Sequence, residues 1–183
     1  MYIKPKSVKL KNGQNITLRS PDMFDAEQLL NHMRLTSAET EFMSRYPEEI
    51  TVSVEAQSRF LQMIENDPDN FMLAVYIDGR MVGNAGITRV RDNIKYRHRA
   101  NFGISLQEEV CGLGLGMLML QEILEIVKQT AFEQLELTVF GDNARAIALY
   151  EKVGFVKVGS MPRAYRLKDG SYHDEVQMVY RLK

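Results

Sequence analysis

The sequence predicts an α/β (α+β) domain with a mixed, mainly antiparallel central sheet flanked by helices, and three observations carry this. Apolar runs of period two come in pairs joined by turn residues, the signature of antiparallel hairpins. Segments of helical period separate them, and the second half runs strand–helix–strand–helix–strand. No repeat, low-complexity tract or linker interrupts the 183 residues, so one domain over 1–183 is expected.

Residues 7–19 (SVKLKNGQNITLR) form the first expected hairpin, with Asn12-Gly13 supplying the positive φ of a tight turn. Ser20-Pro21 resembles an N-cap and first helical residue. The helix then expected over 21–36 carries Phe24, Leu29, Leu30 and Met33 at helical spacing. A second helix is predicted over 53–66 and ends at Asp67-Pro68, because proline disfavours helix in the residue before it. FMLAVYI (71–77), the Asp78-Gly79 turn and RMVGNAGITRV (80–90) give a second hairpin. Gly83 and Gly86 inside it suggest a bulge or close packing. RHRANFGISL (97–106) follows a polar connection at 91–96 as a further strand.

A helix over 114–130 comes next, its buried face marked by Leu120, Ile123, Leu124 and Val127. QLELTVF (134–140) is a strand, and ARAIALYEKVG (144–154) a short helix closed by Gly154. FVKVGSM (155–161) and DEVQMVYRL (174–182) are the last strands, around a loop with Asp169-Gly170.

Composition narrows the class. At 45% hydrophobic the chain can bury a sizeable core, and a formal net charge of −1 argues against nucleic acid as main partner. Cys111 is the only cysteine, which excludes an intrachain disulfide and suits a reducing compartment. No apolar run reaches about 18 residues, and MYIKPKSVKLKNG lacks the apolar core of a secretion signal, so a cytoplasmic protein with no membrane partner is expected.

The stretch CGLGLGMLML (111–120) is the most informative. A helix N-terminus presents unpaired N–H groups and partial positive charge, and glycines before it let a phosphate approach the backbone. A plain strand-to-helix turn is the alternative. Gly116 is followed by Met117-Leu118 rather than Lys-Ser/Thr as a P-loop needs, and the dinucleotide pattern G-x-G-x-x-G fails at Met117, so neither ATP/GTP nor NAD is favoured.

About 30 residues downstream lies LTVFGDNARAIALYEKVGF (137–155). Together the two segments resemble the GNAT superfamily of acetyl-CoA-dependent N-acetyltransferases. That family carries Arg/Gln-x-x-Gly-x-Gly/Ala at a strand–helix junction, here Cys111-Gly-Leu-Gly114-Leu-Gly116. Its second motif is matched by Asn143, Ala146, Leu149, Tyr150, Lys152, Gly154 and Phe155. The clear match covers about 97–161, and the overall run is similar to ribosomal-protein and spermidine acetyltransferases of bacteria.

The resemblance implies a sheet splayed at the cofactor site and a backbone cradle for the coenzyme A pyrophosphate at Cys111, Gly112, Leu113, Gly114, Leu115 and Gly116. It places the pantetheine arm beside Ile104, Ser105 and Leu106, the thioester in the gap before strand 134–140, and Asn143 against the cofactor. Cys111 departs from the family's Arg or Gln, losing a side-chain contact to phosphate but not the backbone cradle. Acetyl-CoA is the implied donor, with no metal, and the implied acceptor is a primary amine of a small molecule, polyamine, amino acid or protein N-terminus. A homodimer is a further possible partner.

For the chemistry, Tyr150 is the family's usual general acid, its phenol able to return a proton to the coenzyme A sulfur; the alternative is a core aromatic on an amphipathic helix, and the surrounding motif favours the acid. Backbone N–H groups around Ile104 to Leu106 suit an oxyanion. No general base is evident: where many relatives of the family carry a Glu on the central strand stands Asn101, Glu108 and Glu109 lie past the strand and His98 at its start, and a water chain is the remaining alternative. Cys111 as a nucleophile would need a partnered histidine, and His32, His98 and His173 form no recognisable Cys–His signature. The basic run RVRDNIKYRHR (89–99), with Tyr96, reads first as a solvated hairpin end, the alternatives being a guide for an acidic substrate or an RNA-binding surface. Met117 and Met119 read as core filling. The second functional class is a non-catalytic coenzyme A-binding module on the same fold.

Overall fold

The computed structural model describes residues 1–183. Its eight strands are β1 (Lys6–Lys9), β2 (Asn15–Arg19), β3 (Phe71–Ile77), β4 (Arg80–Arg89), β5 (Arg99–Leu106), β6 (Gln134–Phe140), β7 (Val156–Arg166) and β8 (Tyr172–Arg181). The helices are α1 (Ala26–Glu39), α2 (Val54–Asn66), α3 (Leu115–Val127) and α4 (Ala144–Lys152). One sheet runs β1-β2-β3-β4-β5-β6-β8-β7, and every neighbouring pair is antiparallel except β5 and β6. This is the mixed, mainly antiparallel sheet expected.

Two apolar layers hold it. On one face Leu73, Val75, Ala85, Ala100, Phe102 and Leu135 pack against Leu115, Met119, Leu120, Ile123 and Val127 of α3. On the other, Met72, Ala74, Tyr76 and Met81 meet Ala26 and Leu29 of α1 and Leu61 and Ile64 of α2. Strict alternation along β3 feeds both layers, and for that reason all seven of its residues are buried. Asp78 and Gly79 both take positive φ, as the two-residue turn joining β3 to β4 requires. Gly83 is a close-packing glycine: a Cβ there would come within 2.5 Å of Leu106 Cδ2.

Several boundaries differ from expectation. Ser20 is not a cap. It is 3% exposed, and its Oγ accepts from Ile3 N–H and donates to Met72 C=O, tying the chain start to β3. Asp22 caps instead, in a capping box with Asp25 that opens a 3-10 turn before α1. Ser53 does cap α2, accepting from Ala56 N–H, and the helix stops before Asp67-Pro68. Helix α3 ends at Val127, three residues early, where Thr130 Oγ1 bonds back to Val127 C=O. Strands β7 and β8 are longer than the sequence suggests, because a register shift between Met161 and Tyr165 lets pairing continue past Pro162. No helix is long and apolar enough to cross a membrane.

Candidate active site

Strand β5 pairs with β6 at only three positions, Arg99 with Gln134, Ala100 with Leu135 and Asn101 with Glu136. From Phe102 onward the two separate, although β4 follows β5 as far as Leu106 and β8 follows β6 as far as Phe140. The sheet is therefore split along β5. The bonds Gln107 N–H to Val82 C=O and Val90 N–H to Arg99 C=O turn the odd-numbered residues of β5 toward β4. The backbone groups of Ile104 and Leu106 therefore face the split, whereas those of Ser105 are spent on β4. Of the three residues expected along the pantetheine arm, two offer a free strand edge and the third contributes a side chain.

At the end of β5 the chain makes a 3-10 turn over Glu108–Val110 and enters α3 through the glycine run. Cys111 N–H donates to Glu108 C=O at 2.9 Å, and the first helical bond is Leu118 N–H to Gly114 C=O at 3.1 Å. The N–H groups of Gly112, Leu113, Gly114, Leu115, Gly116 and Met117 lie between, with no partner in the chain. The free cradle thus begins one residue after Cys111 and extends one beyond Gly116. Gly112 and Gly114 have φ of +88° and +84°, a left-handed conformation that side chains disfavour, and a Cβ on either would meet nothing within 4 Å. Gly116 differs. A Cβ there would approach Leu149 Cδ2 to 3.1 Å and Leu106 Cδ1 to 3.6 Å, so its smallness lets α3, α4 and β5 converge.

Helix α4 brings in the second motif. Asn143 Oδ1 accepts from Ala146 N–H at 3.1 Å and caps the helix, leaving its Nδ2 without a partner. Two turns on, Tyr150 packs edge-on against Phe102, with centroids 6.1 Å apart at 90°, at the residue where β5 leaves β6. The ring is 8% exposed, its hydroxyl has no hydrogen bond in the chain, and burial pushes the phenol up to about 12. At neutral pH it holds its proton.

Other candidates lie elsewhere. Glu109 is ion-paired with Arg80, and the Glu108 backbone N–H is bound by Glu39. Asn101 projects from the α1 face of β5. The basic run turns back on itself at the far end of β5, with Arg91 and Arg99 over the Tyr96 ring at 5.1 and 5.3 Å. Met119 is fully buried in the core. Residues with no sequence signal also border the split: His32, Asn84 and Gln107, and an aromatic group in which Tyr165 stacks on Phe140 at 3.8 Å with Phe42 edge-on. The contacting pairs, His32 with Ser105 and Gln107 and Phe140 with Tyr165 and Phe42, lie 25 to 98 residues apart in sequence, beyond any local motif.

The family model described as acetyltransferase (GNAT) family matches residues 34–155, the segment that carries the split, the cradle and α4. The chain belongs to the GNAT acetyltransferase family. Among relatives of this GNAT acetyltransferase, the L-amino acid N-acetyltransferase AaaT of Escherichia coli is 31% identical over 119 residues, 64% of this chain and 72% of that one. The N-alpha-acetyltransferase RimI of Mycobacterium tuberculosis is 32% identical over 100 residues, 55% of this chain and 61% of its own. A GNAT-family acetyltransferase from Streptococcus pneumoniae superposes with a TM-score of 0.87 at 27% identity, covering 92% of this chain and 99% of that one. The fold also matches yncA from Salmonella typhimurium, solved with acetyl-CoA, at a TM-score of 0.79 and 19% identity, over 92% and 94% of the two chains.

Proposed function

We propose that this GNAT acetyltransferase moves the acetyl group of acetyl-CoA onto a primary amine, with the whole chain acting as one cytoplasmic domain. The observation that carries this is the split between β5 and β6 opening directly beside six unpaired N–H groups at the α3 N-terminus. A pyrophosphate suits that terminus, since successive N–H groups and the helix dipole both favour negative charge. Gly112 and Gly114 keep side chains away from it, and the Asn143 amide supplies a further donor. The free edges of Ile104 and Leu106 suit the amide groups of a pantetheine arm, which can pair with a strand. Bound there, acetyl-CoA supplies an activated acyl carbon.

The residues then have distinct tasks. An amine of pKa near 10.4 reaches the site largely protonated and must lose that proton before it attacks. As its nitrogen bonds to the acyl carbon, the backbone N–H groups facing the split can stabilise the developing oxyanion. Tyr150, neutral and unbonded, donates its proton to the leaving thiolate as the carbon–sulfur bond breaks, and recovers one from the released amine proton. No step passes through a metal.

Mixing the protein with acetyl-CoA and a panel of primary amines, while following free thiol and N-acetyl product, tests this. Thiol and product appearing in equal amounts are the expected result. Tight coenzyme A binding with no thiol from any amine identifies a binding module instead.

A further inference from the structure

The α1 face of the split holds a polar cluster that acetyl transfer as described does not use. His32 on α1 is 1% exposed, and its Nε2 lies 2.8 Å from Ser105 Oγ. Its Nδ1 lies 3.4 Å from Gln107 Nε2. Two other bonds orient Gln107: Nε2 donates to Met81 C=O at 3.0 Å, and Oε1 accepts from Arg80 at 2.8 Å. His32 Nδ1 is therefore an acceptor, and the ring proton sits on Nε2, donated to Ser105. That bond uses a lone pair of the Ser105 hydroxyl and leaves its own proton unspent.

Asn84 on β4 is the register partner of Ser105, so both side chains rise from the same face. The Asn84 carboxamide makes no hydrogen bond: Oδ1 is enclosed without a partner, and Nδ2 is left open. Next along the same strand pair, Gly86 faces Gly103, and a Cβ on Gly103 would touch nothing within 4 Å. Bare space thus adjoins two unspent donors on the α1 face of the split.

We propose that Ser105 Oγ–H and Asn84 Nδ2–H together bind the α-carbonyl oxygen of the acceptor, which makes that acceptor an α-amino carbonyl compound. This rests on the acetyl-transfer function above and adds the acceptor's chemistry. A carbonyl oxygen has two lone pairs and answers both donors, whereas a protonated polyamine offers only N–H groups and leaves both unanswered. His32 and Gln107 are positioning residues that hold the Ser105 hydroxyl in its donating orientation.

Calorimetric titration of glycine, glycinamide and ethylamine into the 183-residue protein saturated with coenzyme A reads the subsite without turnover. Glycine or glycinamide should bind about fivefold or more tighter than ethylamine, the effect of one to two neutral hydrogen bonds. The tighter of the two distinguishes a free amino acid from a peptide N-terminus. Asn84→Ala and Ser105→Ala should each bring the ratio to ethylamine close to one. His32→Leu should do the same, while His32→Gln, which retains an N–H donor near the Nε2 position, should preserve it. Equal binding of all three amines by the wild type, or ratios unmoved by Asn84→Ala and Ser105→Ala, overturns the proposal. Intact ratios without acetylation of any amine count against transfer alone and support the subsite.

Discussion

Tyr150 joins two demands that rarely coincide, a ring sealed in the core and a hydroxyl with no partner there. The hydroxyl is not among the enclosed polar atoms that lack a partner, so it reaches solvent and bonds water or a ligand group without loss of stability. Tyr150→Phe should therefore leave the unfolding midpoint nearly unchanged and lower kcat about a hundredfold or more, checked by steady-state thiol release beside urea unfolding. Because burial holds the phenol near 12, it stays protonated through pH 10. The rate should climb with pH as the acceptor amine deprotonates, with no descending limb before pH 10; a fall near pH 9 would assign the acid elsewhere. His32 gives the complementary acid-side effect. Burial lowers its folded pKa to about 4 from an ordinary 6.5, so the unfolded chain takes up the proton first. Its contribution is complete above pH 6.5 and disappears as pH falls through 4, a loss of about 3 kcal/mol. Unfolding midpoints measured from pH 7 to 4 should fall less steeply in His32→Gln than in the wild type.

In the proposed function cofactor binding falls to the junction of β5 with α3, and its three glycines differ in conformation and surroundings. Gly112 and Gly114 are held at positive φ with open space outside, so alanine strains the backbone by roughly 1–2 kcal/mol and places a methyl group where the pyrophosphate would approach. Gly112→Ala and Gly114→Ala should raise the KM for acetyl-CoA together with that loss of stability. Gly116→Ala meets the end of Leu149 at 3.1 Å, a side chain that can shift by a few tenths of an ångström. Its effect should fall on the fit of α4, and so on kcat through Tyr150, more than on cofactor affinity. Kinetics of the three variants, with acetyl-CoA varied, separate the two roles.

At the scale of the whole molecule, element order was legible because each element carries its own period. Strand β3 reads as an unbroken apolar run because it is buried on both faces, and α3 shows its buried stripe at i, i+3, i+4 and i+7. Local chemistry misled where tertiary contacts outranked it: Ser20 looks like a cap, yet its hydroxyl is worth more to Met72, 52 residues away. The unpaired N–H groups opening α3 were legible as a run of glycines, but not that Cys111 N–H is spent on Glu108 or that the backbone of Ser105 turns to β4. Those are matters of hydrogen-bond parity, which no composition encodes. The His32–Ser105–Gln107 cluster was invisible because its members meet across 73 and 75 residues. The split itself, the feature that joins these parts into one site, is tested most directly by backbone amide resonances recorded with and without acetyl-CoA. Shifts and exchange protection should concentrate at Gly112 to Met117 and at Ile104 and Leu106, sparing Cys111 and Ser105 N–H from new hydrogen bonds. Saturating acetyl-CoA that leaves Gly112 to Met117 unperturbed would contradict the account.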